Sequence, residues 1–172
     1  MRDVRRELRR IAVAGFALLG ATFCSRTSFA CELTSAVSPA AMVRAADAIV
    51  RTLALGYAMP PTGPNSDPPL RFRVLEVIRG TEVPPELDLP GYPVDRDDFN
   101  EGSVPYAVVR RTGHMGSCYS RFYRPGTEFL LMLKKRDAAY TVEWYPMGPV
   151  NEQLRSPDDP WLTWVRKAAQ QK

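Results

Sequence analysis

The sequence predicts a mainly β domain: a small closed barrel of the oligonucleotide/oligosaccharide-binding type, with a short helix at its start and a second helix packed on it at its end. Three observations point there. Several short stretches alternate apolar and polar residues, long loops rich in Pro, Gly and Asp separate them, and two segments with helix-start signals flank the set. A two-sheet β-sandwich is the alternative that the same pattern admits.

The elements follow in order. Ser38-Pro39 before AAMVRAADA places an N-cap and a first-turn proline, so a short helix should run to about Ala46. DAIVRTLALGY then turns strand-like, with Ile49, Leu53 and Leu55 as candidate core and Arg51 outward. Met59 to Pro69 carries too much Pro, Gly and Asn for regular structure and reads as a surface loop. LRFRVLEVIRG is a second strand, Leu70, Phe72 and Val74 facing one way and Arg71 and Arg73 the other. Its alternation slips near Leu75-Glu76, which predicts a bulge of the kind that curls a sheet. ELDLPGY supplies a short strand with Leu87 and Leu89 on one side, PVDRDDFNEGS an acidic loop, and PYAVVRR another brief strand. Glu128 to Lys134 and Ala139 to Tyr145 read as a hairpin around a charged turn. DDPWLTWVRKAAQQ closes the series as a helix capped near Asp158 or Asp159, with Trp161, Leu162, Trp164 and Val165 as its apolar side. Arg166 and Lys167 sit near its end, where they suit the helix dipole.

The first thirty residues have a different character. MRDVRRELRR, the apolar run IAVAGFALLGATF and the small residue Ala30 before Cys31 form the pattern of a secretory signal peptide, too short in its apolar part to span a bilayer. The expected organisation is therefore a leader over 1–30 and a single domain over 31–172. The leader would take six of the 23 basic and two of the 19 acidic residues with it, leaving 17 of each. A neutral domain lacks the positive field of nonspecific nucleic-acid binders, so nucleic acid is not an expected partner.

Of the three cysteines, Cys24 would leave with the leader. In an oxidising compartment Cys31 and Cys118 most simply form one disulfide. Closing a loop of roughly 90 residues is worth about 4 to 5 kcal/mol before strain. The alternative makes Cys31 a lipoprotein cysteine and the protein membrane-anchored, although Ser28 stands where lipoboxes usually carry Leu and Phe29 is bulky.

Cys31 at a new N-terminus, the short helix, AADAIVRTLALG, FRVLEVIRG and then SCYSRFYRPGTEFLLML together resemble the netrin-like fold of the tissue inhibitors of metalloproteinases, in its pared-down bacterial version. The likeness spans roughly Cys31 to Lys134. It implies that Cys31 occupies the place of the inhibitors' first cysteine and Cys118 that of a cysteine preceding the strand led by Gly126. In those inhibitors the terminal amine and carbonyl chelate the protease zinc, so the resemblance makes Cys31 and Glu32 candidate inhibitory residues and an extracellular metalloprotease a candidate partner. The sequence departs in having a single cysteine followed by Glu32 and Leu33, where the inhibitors have Cys-x-Cys and a small residue facing the enzyme pocket.

Catalytic patterns are missing. His114 is the only histidine, so neither a histidine metal cage nor a Ser-His-Asp triad can be assembled within one chain. GHMGSC does not fit a nucleophile elbow, and a metal site from His114, Met115 and Cys118 would need Cys118 free. Asp95, Asp97, Asp98 and Glu101 begin like a calcium loop, but Phe99 and Asn100 fall where a ligand and the turn glycine belong, which leaves a solvated loop. Arg110, Arg111, Arg121 and Arg124 around Tyr119, Phe122 and Tyr123 are candidate surface-binding residues for an anionic polymer, or else core aromatics with arginines at strand ends. The expectation is an exported, periplasmic or secreted, non-enzymatic binding domain for a protein or small ligand, with no cofactor or metal.

Overall fold

The computed structural model describes residues 37–63 and 66–171. Leader residues 1–30, Cys31 and Glu32 lie outside that range.

Ser38 caps the first helix, α1 (Pro39–Ala45), its hydroxyl accepting the Ala41 N–H, and Pro39 opens the helix as its signal predicts. Strands β1 (Ala48–Tyr57) and β2 (Leu70–Arg79) pair antiparallel, and β3 (Glu86–Leu89) continues the sheet from β2. The short β4 (Tyr92–Pro93) pairs in parallel with β5 (Phe122–Tyr123). Strand β6 (Glu128–Arg136) lies antiparallel to β1. Its other edge is shared by β7 (Ala139–Thr141) and β8 (Asn151–Gln153). The second helix, α2 (Pro160–Gln170), is capped by Asp159, whose carboxylate accepts the Trp161 N–H.

The fold is mainly β, with a six-stranded antiparallel sheet in the order β3-β2-β1-β6-β7, β8 on β6, and two helices. The register of β1 against β2 shifts three times, skipping Leu55 on β1 and Leu75 and Ile78 on β2. The slip expected near Leu75-Glu76 is thus a bulge, and bulges increase local twist. The sheet curls enough that its two end strands, β3 and β7, approach each other, yet no hydrogen-bonded ladder joins them among the described residues. A closed barrel is not found.

Each face of the sheet carries its own core. On one, α1 and α2 bring Met42, Val43, Trp161, Leu162 and Val165 onto Ile49, Leu130 and Met132. On the other, inside the curl, Val50, Phe72, Leu87, Leu89, Tyr123, Phe129 and Leu131 pack together, Phe72 meeting Tyr123 edge-on at 4.9 Å. A chain of charges crosses the first face from strand to helix. Arg51 grips Glu128 at 2.7 Å and reaches Glu76 at 3.7 Å, and Glu76 takes both Nε and Nη2 of Arg166. Arg166 therefore ties α2 to β2, a role beyond complementing the helix dipole.

Four sequence expectations need correction. PYAVVRR is not a strand. Its Val109 N–H goes to the Met147 carbonyl and its Arg110 N–H to the Glu152 side chain, so no neighbouring strand takes up its hydrogen bonds. The second hairpin strand stops at Thr141, where the Thr141 hydroxyl captures the Glu143 N–H and Trp144 Nε1 turns in to the Met132 carbonyl. Leu53 is half-buried and Leu55 exposed, because the bulge at Leu55 breaks the alternation that would have turned it inward. The acidic loop is only partly solvated, since Asp98 and Asn100 are buried.

Candidate functional site

The sheet's polar side is unusual. Every residue of β8 is polar and buried: Asn151, Glu152 and Gln153 are 1%, 0% and 3% exposed. Burying such groups costs several kcal/mol unless each finds a partner. Here the partners come from the long connection 94–121. Gln153 Oε1 accepts the Asp98 N–H at 2.8 Å, and its amide donates to Asp97. Asn151 donates to the Tyr123 hydroxyl at 2.7 Å and to the Ser120 carbonyl. Glu152 accepts the Arg110 backbone N–H through Oε1 at 3.1 Å and the Asn100 side-chain amide through Oε2 at 3.0 Å.

Arg110 is the centre of this network. Its side chain has no exposed surface, and Nη1 bonds Asp98 at 2.6 Å and the Phe122 carbonyl at 2.8 Å while Nε bonds the Asn151 carbonyl at 3.0 Å. The guanidinium carbon also lies 5.2 Å from the Tyr123 ring centre and 5.3 Å from that of Phe129. Thr112 and Ser120 add their hydroxyls to Asp98. Burial pushes the Glu152 carboxyl up to about 7; the Arg110 charge and the two N–H donors pull the other way, and the Asp98 carboxylate adds to the rise.

The network backs a cleft of about 270 Å³ whose walls are Phe99–Gly102 and Val108–Arg111, with His114 at its side. A second hollow of similar size, lined by Arg96, Asp98, Thr112 and Met115, lies on the other side of Arg111, which borders both. The rim is exposed and mixed in character: Arg96, Arg111, Val108 at 38% and Met115 at 70% exposure. Phe99 is held from behind by Arg155, whose guanidinium stacks on its ring at 4.4 Å and donates to the Asn100 carbonyl at 3.1 Å. His114 Nε2 sits 2.9 Å from the Val109 carbonyl oxygen, which makes that nitrogen the protonated one. The cleft walls are thus pinned from inside, and the rim offers cations beside apolar surface.

The basic and aromatic residues read from the sequence do not converge on one surface. Arg110 and Tyr123 are buried and stack on each other, so neither can clamp a polymer; two carboxylates and two rings hold the arginine inside. Arg121 is committed to Glu143 at 2.6 Å and Arg124 to Asp97 at 2.7 Å, and Tyr119 is half-buried. Only Arg111 is an exposed member of the set. Cys118 is a bonded cysteine, not a free thiol; its expected partner, Cys31, lies outside the described residues. Among the described residues no group of three or more His, Cys, Asp or Glu could hold a metal ion. No family model matches the chain, and no curated protein matches it.

Gly91 is where this site depends on a missing side chain. A Cβ there would lie 2.6 Å from Tyr123 Cε2 and 2.8 Å from the Arg121 carbonyl oxygen, and the Tyr92 N–H already bonds that same carbonyl at 2.7 Å. Neither neighbour can retreat without displacing Tyr123 from Arg110. Gly91→Ala should therefore destabilise the domain by about 1 to 3 kcal/mol, read as a lower urea midpoint at unchanged slope.

Proposed function

We propose that this chain is an exported, non-catalytic binding domain of the bacterial envelope or periplasm, built on a curled, netrin-like β-scaffold, and that it holds a protein or small ligand at the cleft beside Arg111. The observation that carries the reading is the contrast within the site. A buried Asp98–Arg110–Glu152 network fixes the cleft walls, while Val108, Arg111 and Met115 stay exposed on the rim. A pre-ordered wall lowers the entropy cost of binding, and an apolar rim with a cation suits a partner that presents a carboxylate beside an apolar group. The barrel-like scaffold is supported by the three register shifts and by the approach of β3 to β7.

Photo-crosslinking tests the site. A crosslinking residue at Arg111 or Met115 should trap the same adduct from envelope extract, and one at Arg73 on β2 should not. Equal labelling at all three positions, or none at 111 and 115, would remove the cleft from consideration.

A second reading is favoured by the bonded state of Cys118. If Cys31 is its partner, the mature terminus is tethered rigidly enough to present an amine and a carbonyl to a protease zinc. Chemical blocking of that amine should then abolish inhibition of an extracellular metalloprotease. Intact mass separates this from lipid anchoring, since a bridged chain starting at Cys31 is two hydrogens light and an acylated one is heavier by the lipid.

A further inference from the structure

We propose that Glu152 is an acid-operated latch on the cleft wall: when it takes up a proton it must release one of the two N–H bonds by which it holds the connection 94–121, and the wall loosens. The geometry leaves it no other choice. Its two carboxylate oxygens each meet a donor, the Arg110 backbone N–H on one side and the Asn100 side-chain amide on the other. Those donors sit on the two opposing walls of the cleft. A carboxylate can accept from both, whereas a carboxylic acid turns one oxygen into an O–H that confronts an N–H.

The charge balance around Glu152 favours the proton. Asp98 and Glu152 are both buried and only one guanidinium, that of Arg110, lies between them. Arg110 spends its direct ion pair on Asp98 and reaches Glu152 with its backbone N–H. The other ionisable groups facing this region are Tyr106 on the connection and Arg155 and Asp159 beyond β8, whereas β6 places Leu130 opposite Glu152. Full burial with one shared cation puts the transition near neutrality, within reach of an external compartment that acidifies.

The consequence for binding rests on the cleft reading above; the latch does not, because it is read on the free protein. Glu152 is followed by its side-chain carboxyl ¹³C shift between pH 8 and 5.5, together with the Arg110 backbone and Asn100 side-chain amides. All three should follow one curve with a midpoint near 7, and the Arg110 protection factor against hydrogen exchange should fall at least tenfold on the acid side. Glu152→Gln should abolish the curve and hold the Arg110 amide at its low protection at every pH. Asp98→Asn should shift the midpoint down and leave the curve in place. A flat Glu152 shift in the folded wild type overturns the proposal whether or not either variant folds. So does a Glu152 titration that leaves Arg110 and Asn100 protection unchanged. Titration with release, but no crosslink at 111 or 115, would keep the latch and discard the binding reading.

Discussion

Arg110→Met should cost about 3 to 5 kcal/mol of stability at pH 7.5, the range for breaking a buried ion pair from one side. Methionine fills much of the space between the Tyr123 and Phe129 rings, so the loss is mainly electrostatic. Without the guanidinium, Asp98 and Glu152 face each other as buried carboxylates, and the Phe122 and Asn151 carbonyls lose their donors. The pH dependence separates this from a packing defect. In the wild type the folded Glu152 carboxyl titrates at about 7, above its model value of 4.5, so the folded state binds the proton more tightly than the unfolded chain. Its contribution to stability is present below about 4.5 and is lost as pH rises through about 7. Removing the one cation between the carboxylates raises both further, which steepens the decline and carries it above neutrality. The deficit of Arg110→Met should therefore shrink on going from pH 7.5 to pH 5.5, by denaturant melts at both. A deficit equal at the two values would mean that the arginine acts through its packing, and the charge argument for this network would fail.

How far this site was legible in the sequence depends on where each residue's partners lie. Ser38-Pro39 and Asp159-Pro160 announce their helices because a cap and a first-turn proline are satisfied by the next few residues, and both helices begin where those signals stand. The slip at Leu75 was readable because it breaks an alternation that local sequence carries. Asn151-Glu152-Gln153 gave no such signal. Three polar residues in a row suggest a loop, and their burial makes sense only once Asp98, Asn100 and Arg110, some forty to fifty-five positions away, are placed against them. Arg110 misled for the same reason, since adjacent arginines suggest a surface and nothing local distinguishes the buried Arg110 from the exposed Arg111. PYAVVRR misled in the opposite sense: its pattern suits a strand, but no neighbouring strand is there to pair with it. Local grammar thus reported the apolar scaffold and missed the polar network that shapes the cleft.

Trp161→Ala should cost a further class of interactions, about 3 to 5 kcal/mol, and should lower the melting temperature by roughly 10 °C or more. Trp161 is fully buried at the first turn of α2, stacked on Trp164 with centroids 5.2 Å apart and tilted against Tyr106 at 5.0 Å. It also belongs to the cluster that joins α1, α2 and the sheet residues Ile49, Leu130 and Met132. Truncation would empty a site walled by a β-strand and two helices, which cannot collapse together without disturbing the Arg166–Glu76 pair. Trp161→Phe should recover most of the loss. It keeps a ring in the site and removes an indole N–H that has no hydrogen-bond partner among the described residues. The decisive comparison is between probes. If α2 is part of the domain's core, near-ultraviolet and far-ultraviolet transitions of Trp161→Ala should fall together as one cooperative step. Loss of helix signal ahead of an unchanged β-sheet transition would instead make α2 an appendage, and the first of the two cores would shrink to α1 and the sheet face beneath it.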